Sequence, residues 1–169
     1  MVRVKICGIT NLTDALCAVR EGADAIGFVF AKSPRRVNAQ TVRKITQSIG
    51  PLVASIGVFV NEPAERMLRI ADRCGLSGIQ LHGDENAGTI RRLQQQGFHV
   101  IKALRMGEGN ELEKIHDVSA DALLLDASHG GKFGGTGRTF DWMCLKTRKI
   151  QIPWIVSGGL SPANVKKLL

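Results

Sequence analysis

Short apolar runs recur roughly every 20 to 25 residues along this chain, and a stretch of helical periodicity follows each one. The runs are Val2–Cys7, Ala25–Phe30, Val53–Phe59, Gly78–Leu81, His99–Ala103, Ala122–Asp126 and Trp154–Ser157. Each is nearly continuous in apolar residues rather than alternating, the pattern of a parallel strand covered on both faces. Seven strand–helix units in strict alternation predict a parallel α/β sheet, either doubly wound or closed as a barrel. Regular spacing favours a TIM (β/α)8-type barrel. So do the polar or glycine-rich residues after most strands, among them Gly8, Ser33-Pro34, Asn61, His82-Gly83 and Gly158-Gly159. No G-x-G-x-x-G follows the first strand, which argues against a dinucleotide site.

The helical stretches carry their own punctuation. Leu12–Glu21 places Leu12, Ala15, Leu16 and Val19 on one face and stops at Gly22, with the start expected near Thr13 or Asp14. Asn38 is the expected cap of Ala39–Ile49, with Val42, Ile45 and Ile49 inward. Pro63 opens a third helix, with Met67, Leu68, Ile70 and Ala71 buried and Gly75 as its stop. Asn86 to Gln96 forms a fourth, Glu111–Val118 a fifth, and Phe140–Thr147, capped by Thr139, a sixth. Ser161-Pro162-Ala163 opens a seventh.

The chain of 169 residues reads as one barrel domain, 1–169, without linker or low-complexity segment. Its count is one unit short, since eight units at this spacing need roughly 195 to 200 residues. It stops within an amphipathic helix, Ala163–Leu169, so we expect a C-terminally incomplete barrel lacking its eighth unit.

Apolar residues make up 44% of the chain, and no run approaches the ~18 residues that span a bilayer. With no signal-type leader either, the reading is cytoplasmic with no membrane partner. Cys7, Cys17, Cys74 and Cys144 form no C-x-x-C pair and suggest no metal site. Cys17, Cys74 and Cys144 read as inert core thiols. The net charge of +8 favours an anionic partner, but lysines and arginines are dispersed and aromatics are only 5%. That pattern favours a small anionic substrate over nucleic acid.

The first strand ends on Cys7 and the sixth on Asp126. Taken singly, one reads as a structural thiol and the other as a strand-end cap. Taken together, a thiol and a carboxyl at the ends of parallel strands suit a base and an acid acting on one small molecule. A thiol abstracts protons as thiolate, which nearby positive charge favours, and Lys5 is a candidate source of that charge. A carboxyl ending an apolar strand is desolvated, which favours its protonated form.

Several motifs in order give the chain a wider resemblance. They are Lys5-Ile6-Cys7-Gly8-Ile9-Thr10, Gly27-Phe28-Val29-Phe30 with Ser33-Pro34-Arg35-Arg36, Gly57-Val58-Phe59, and Ile79-Gln80-Leu81-His82-Gly83. Leu124-Leu125-Asp126, Gly134 to Trp142 and Ser157-Gly158-Gly159-Leu160 follow. From Lys5 to Leu169 the sequence resembles the phosphoribosylanthranilate isomerases of tryptophan biosynthesis. The resemblance implies a cofactor-independent (β/α)8 barrel that converts N-(5-phosphoribosyl)anthranilate by an Amadori rearrangement, with Cys7 as general base and Asp126 as general acid. It further implies that Arg36 grips the anthranilate carboxylate while Arg35 is a solvated loop arginine. Gly158 and Gly159, ahead of the helix opened by Ser161-Pro162, become half of a phosphate clamp.

Gln80 and His82 are candidate substrate neighbours, which we expect strand alternation to point to opposite sides. Gly130–Thr139 is expected to be a lid over the pocket. A homodimer and a fusion to another enzyme of the pathway are both left open. A second reading is a non-catalytic barrel that binds only phosphorylated ligands or a partner chain. A third is a different phosphosugar isomerase on the same scaffold.

Overall fold

The computed structural model describes residues 2–106, 118–127, 139–140, 142–146 and 150–167. They belong to two compact units, Met1–Val100 and Ile101–Leu169.

The first unit alternates β1 (Lys5–Cys7), α1 (Leu12–Arg20), β2 (Ala25–Val29), α2 (Ala39–Ile49), β3 (Ala54–Phe59), α3 (Ala64–Cys74), β4 (Gly78–Leu81) and α4 (Ala87–Gln95). Every pairing among its strands is parallel, and each strand lies beside its neighbour in sequence. The register sets Cys7 level with Gly27, Ile56 and Gly78, and Val29 level with Val58 and Gln80. Helix faces follow the apolar periodicity: Val42, Ile45 and Ile49 of α2, Met67, Leu68 and Ala71 of α3, and Ile90 and Leu93 of α4 are buried. Fully burying a side chain of this size contributes about 1.5–3 kcal/mol, which outweighs the weak propensity of short helices.

Asparagine caps fix three of the four helix starts. Asn11, Asn38 and Asn86 each accept, through the side-chain oxygen, the backbone N–H three residues on. Pro63 stands at the N-cap of α3 itself, one position before the expected first turn, and supplies no side-chain bond.

Several burial expectations fail here: Leu12 of α1 is exposed and Ile70 of α3 only half-buried. β1 is not a buried strand: Val4, Ile6 and Cys7 are exposed, because only β2 flanks it within its unit. Cys17 is exposed rather than a core thiol. The buried residue of α1 is Ala15, and at 3.6 residues per turn Cys17 falls on the opposite side.

The second unit contains β5 (His99–Met106, whose first two residues close the first unit), β6 (Ala122–Ala127), α5 (Met143–Lys146) and β7 (Trp154–Ser157). Its pairings are also parallel, so the expected parallel α/β order is present in both units. Leu123 and Leu125 of β6 form a core with Met106 and Leu145, against which Leu104, Cys144 and Val156 pack. Alternation puts Arg105, Asp126 and Ser157 on the other side of the strands, level with one another.

The sixth helix begins at Met143 rather than Phe140. The seventh is a 3-10 turn, Val165–Lys167, in place of an α-helix opened at Ser161. The expected fifth helix, apart from Val118, and the expected lid, apart from Thr139, lie outside the described residues. No helix among the described residues is long and apolar enough to cross a membrane.

Candidate active site

Cys7 occupies the last position of β1 with its thiol exposed. The chain then turns through Gly8, at φ +87, and the N–H groups of Gly8 and Ile9 both donate to the carbonyl of Gly27, at 2.8 and 3.1 Å. Gly27 is equally constrained from the neighbouring strand. A Cβ there would lie 2.6 Å from the Cys7 sulfur and 3.2 Å from its Cα, so only glycine leaves the thiol its place.

Arg35 is not a free loop arginine. One of its guanidinium nitrogens donates to the Cys7 carbonyl at 3.0 Å, and its side chain lies over Gly8 so closely that a Cβ would meet its Cδ at 2.8 Å. The loop carrying it is held by Ser33, whose Oγ accepts the Arg35 N–H at 3.1 Å and whose carbonyl accepts the Arg36 N–H at 3.1 Å. Val37 then donates to Val29 at 2.9 Å, returning the chain to β2. Lys5 is on the same side of β1 as Cys7, two residues earlier, and Arg35 is bonded to the cysteine's own backbone. Arg36, by contrast, is exposed and lines a groove between α2 and α3.

Gln80 and His82 share one side of β4 rather than flanking it. Residues two apart on a strand point the same way, and the Gln80 amide nitrogen donates to His82 Nδ1 at 3.0 Å. Gln80 is 2% exposed and its Oε1 is buried with no hydrogen-bond partner. A buried acceptor without a donor is costly to a folded chain.

The next two loops lock together behind it. The Glu85 carboxylate accepts the N–H of Asn61 at 2.8 Å and that of Gly83 at 3.0 Å, and Asn61 Oδ1 accepts the N–H of Asp84 at 2.7 Å. Asn61 takes the left-handed backbone region, φ 50, that asparagine tolerates better than most residues.

In the second unit Asp126 is 3% exposed near the end of β6. Ser157, its register partner on β7, donates Oγ–H to Asp126 Oδ1 at 2.6 Å. Arg105 of β5 is its partner on the other side. A buried carboxyl between a hydroxyl donor and a guanidinium-bearing position is oriented, as an acid–base group must be.

After β7, Gly158 and Gly159 both have positive φ, +88 and +63. At Gly158 a Cβ would collide with Ala127, 2.6 Å from its Cβ and 2.8 Å from its nitrogen. Asn164 ties the turn, donating to the Gly159 carbonyl at 2.8 Å and accepting the Ser161 N–H at 2.8 Å. Among the described residues the turn leads only into a three-residue 3-10 turn, too short for the aligned peptide stack of a helix dipole.

The structure therefore groups Cys7 with Gly27 and Arg35, Gln80 with His82, and Asp126 with Ser157. Sequence reasoning missed Arg35, Gly27 and Ser157. Gly27 and Ser157 entered that reading only as members of the motifs Gly27-Phe28-Val29-Phe30 and Ser157-Gly158-Gly159-Leu160. Among the described residues no three His, Cys, Asp or Glu side chains gather as metal ligands.

The family profile described as PRAI, N-(5'phosphoribosyl)anthranilate (PRA) isomerase, matches residues 4–169. The chain is 47% identical over 168 residues to an N-(5'-phosphoribosyl)anthranilate isomerase of Rubrobacter xylanophilus, covering 98% of this chain and 82% of that one. The crystal structure of phosphoribosyl anthranilate isomerase from Thermotoga maritima superposes with a TM-score of 0.90 at 39% identity, covering 99% of this chain and 82% of its own. A second crystal structure, of such an isomerase in complex with reduced 1-(o-carboxyphenylamino)-1-deoxyribulose 5-phosphate, gives a TM-score of 0.86 at 40% identity, covering 99% and 81%.

Proposed function

The chain belongs to the N-(5'-phosphoribosyl)anthranilate isomerase family, and on that premise we propose that it isomerises N-(5'-phosphoribosyl)anthranilate to 1-(2-carboxyphenylamino)-1-deoxyribulose 5-phosphate in tryptophan biosynthesis. The observation that carries the reading is the family match over residues 4–169, with Cys7 and Asp126 falling at strand ends. On the same reading its strands are those of a TIM-type barrel.

The reaction needs an acid and then a base. Asp126 protonates the furanose oxygen, the C1–O bond breaks, and the anilino nitrogen's lone pair forms the C1=N bond of a protonated Schiff base. The Cys7 thiolate removes the proton from C2, whose electron pair becomes the C1=C2 bond and discharges the iminium. The resulting enol-amine takes a proton at C1, releases its C2 hydroxyl proton to solvent, and becomes the ketone. The electrons move within the substrate, so the reading requires no cofactor.

Ser157 supports the first step by fixing one carboxyl oxygen of Asp126. The exposure of Cys7 supports the second, since substrate must reach the sulfur. Arg36 is assigned to the anthranilate carboxylate, Gly158 and Gly159 to the phosphate, and Gln80 with His82 to the sugar hydroxyls. The unpaired Gln80 Oε1 is the acceptor such a hydroxyl would satisfy.

Steady-state kinetics test the assignment. Cys7→Ser and Asp126→Asn are each expected to lower kcat by about 10²–10⁴-fold with little change in KM, and Arg36→Ala chiefly to raise KM. Near-normal turnover by Cys7→Ser would remove the base from this account. No turnover by the unmodified chain would favour the non-catalytic reading.

A further inference from the structure

Beyond the ends of β2 and β3, the first unit holds a groove of about 1090 Å³ between the start of α2 and the length of α3. Arg66, Arg69 and Arg73 of α3 line it together with Glu62 and Asp72, and Arg36 stands at its end nearest β2. Spacings of three and four residues put Arg66, Arg69 and Arg73 on one side of α3, opposite its buried Met67, Leu68 and Ala71.

Like charges four residues apart on a helix repel, so this stripe is unfavourable to the isolated chain. Glu62 relieves Arg66 at 3.4 Å. The side chains of Arg36, Arg69 and Arg73 meet no acceptor among the described residues. The neighbouring face of α3 is the opposite case, with Glu65 neutralised by Arg92 of α4 at 3.0 Å.

We propose that the α3 side of the groove binds a small polyphosphate anion through Arg69 and Arg73, apart from Arg36, which is assigned above to the substrate carboxylate. Guanidinium groups pair bidentately with phosphate oxygens. Several of them spread along one helix match a ligand that carries more than one phosphate. The volume is ample for such a ligand, since small-molecule pockets run from roughly 300 to 1,000 Å³.

Isothermal titration of the full chain with pyrophosphate at physiological ionic strength tests the site. Saturable one-to-one binding is expected, weakened about tenfold or more in Arg69→Ala/Arg73→Ala and retained in Arg69→Lys/Arg73→Lys. Both positions are exposed on a helix, and circular dichroism checks that the fold is kept. Arg73→Gln alone substitutes should the double variant be unstable. The same variants leave isomerase kcat and KM unchanged. Absence of saturable binding at millimolar pyrophosphate, or equal binding by the alanine variant, overturns the proposal. A chain without isomerase activity that still binds pyrophosphate through Arg69 and Arg73 would overturn the catalytic reading and leave this one standing.

Discussion

The sulfur of Cys7 sits where it does because residue 27 has no side chain. Gly27→Ala would put a methyl group 2.6 Å from that sulfur, and the strand pair cannot part without breaking its ladder. Overpacking of this kind costs about 1–3 kcal/mol. We expect Gly27→Ala to fold less stably in urea and to lose turnover out of proportion to that loss, because the thiol is displaced.

Cys74, unlike the exposed Cys7, is buried. Burial pushes Cys74 above its ordinary 9.0, with Arg73 and Arg43 working against the shift. The folded state therefore holds this proton more tightly than the unfolded chain. The stability so gained is complete below the unfolded value of 9.0 and is lost as pH rises through the folded one. Urea melts at alkaline pH should show a shallower decline for Cys74→Ala than for the parent chain. An identical slope would contradict the assignment.

Both thiols were named from the sequence, but their surroundings were not. Spacing along a chain says which residues end strands. It does not say that the loop bearing Arg35 folds back onto the Cys7 carbonyl, 28 positions away in sequence. Gln80 and His82 were legible as a pair and misread in direction, since the strand's two-residue period puts them together.

At the scale of elements, hydrophobic patterning carried most of the reading. β4, β7 and α2 have the limits their apolar runs and caps imply. Helix ends are less legible where packing decides them. Ser161-Pro162 has the look of a helix start, yet Asn164 takes the Ser161 N–H and the chain forms only a short 3-10 turn.

Loop-to-loop bonding left no periodic trace at all. The carboxylate of Glu85 joins the loops after β3 and β4 by accepting backbone N–H groups from both. Glu85→Ala removes this acceptor from both N–H groups; Gly83 is buried, where a lost hydrogen bond costs about 0.5–1.5 kcal/mol, while the exposed Asn61 N–H turns to water. We expect the variant to unfold at lower urea and its amides at Asn61 and Gly83 to exchange faster. Exchange unchanged at both amides would show that the carboxylate does not hold the loops.

For the whole molecule, a net charge of +8 sets how an anionic substrate arrives. Attraction over distances beyond about 10 Å is screened at ordinary salt, whereas contacts inside a site are screened much less. Raising ionic strength should therefore lower kcat/KM for the phosphorylated substrate several-fold while kcat stays nearly constant. A kcat/KM indifferent to salt would mean that the dispersed charge plays no part in capture.

The consecutive strand order in each unit bears on how the chain is made. Lys5 meets Ala25, Ala25 meets Ala54, and Ile56 meets Gly78, so each new strand joins the one just before it across a single helix. A polypeptide leaving the ribosome finds every partner already in the open, and the first unit can be laid down in the direction of translation.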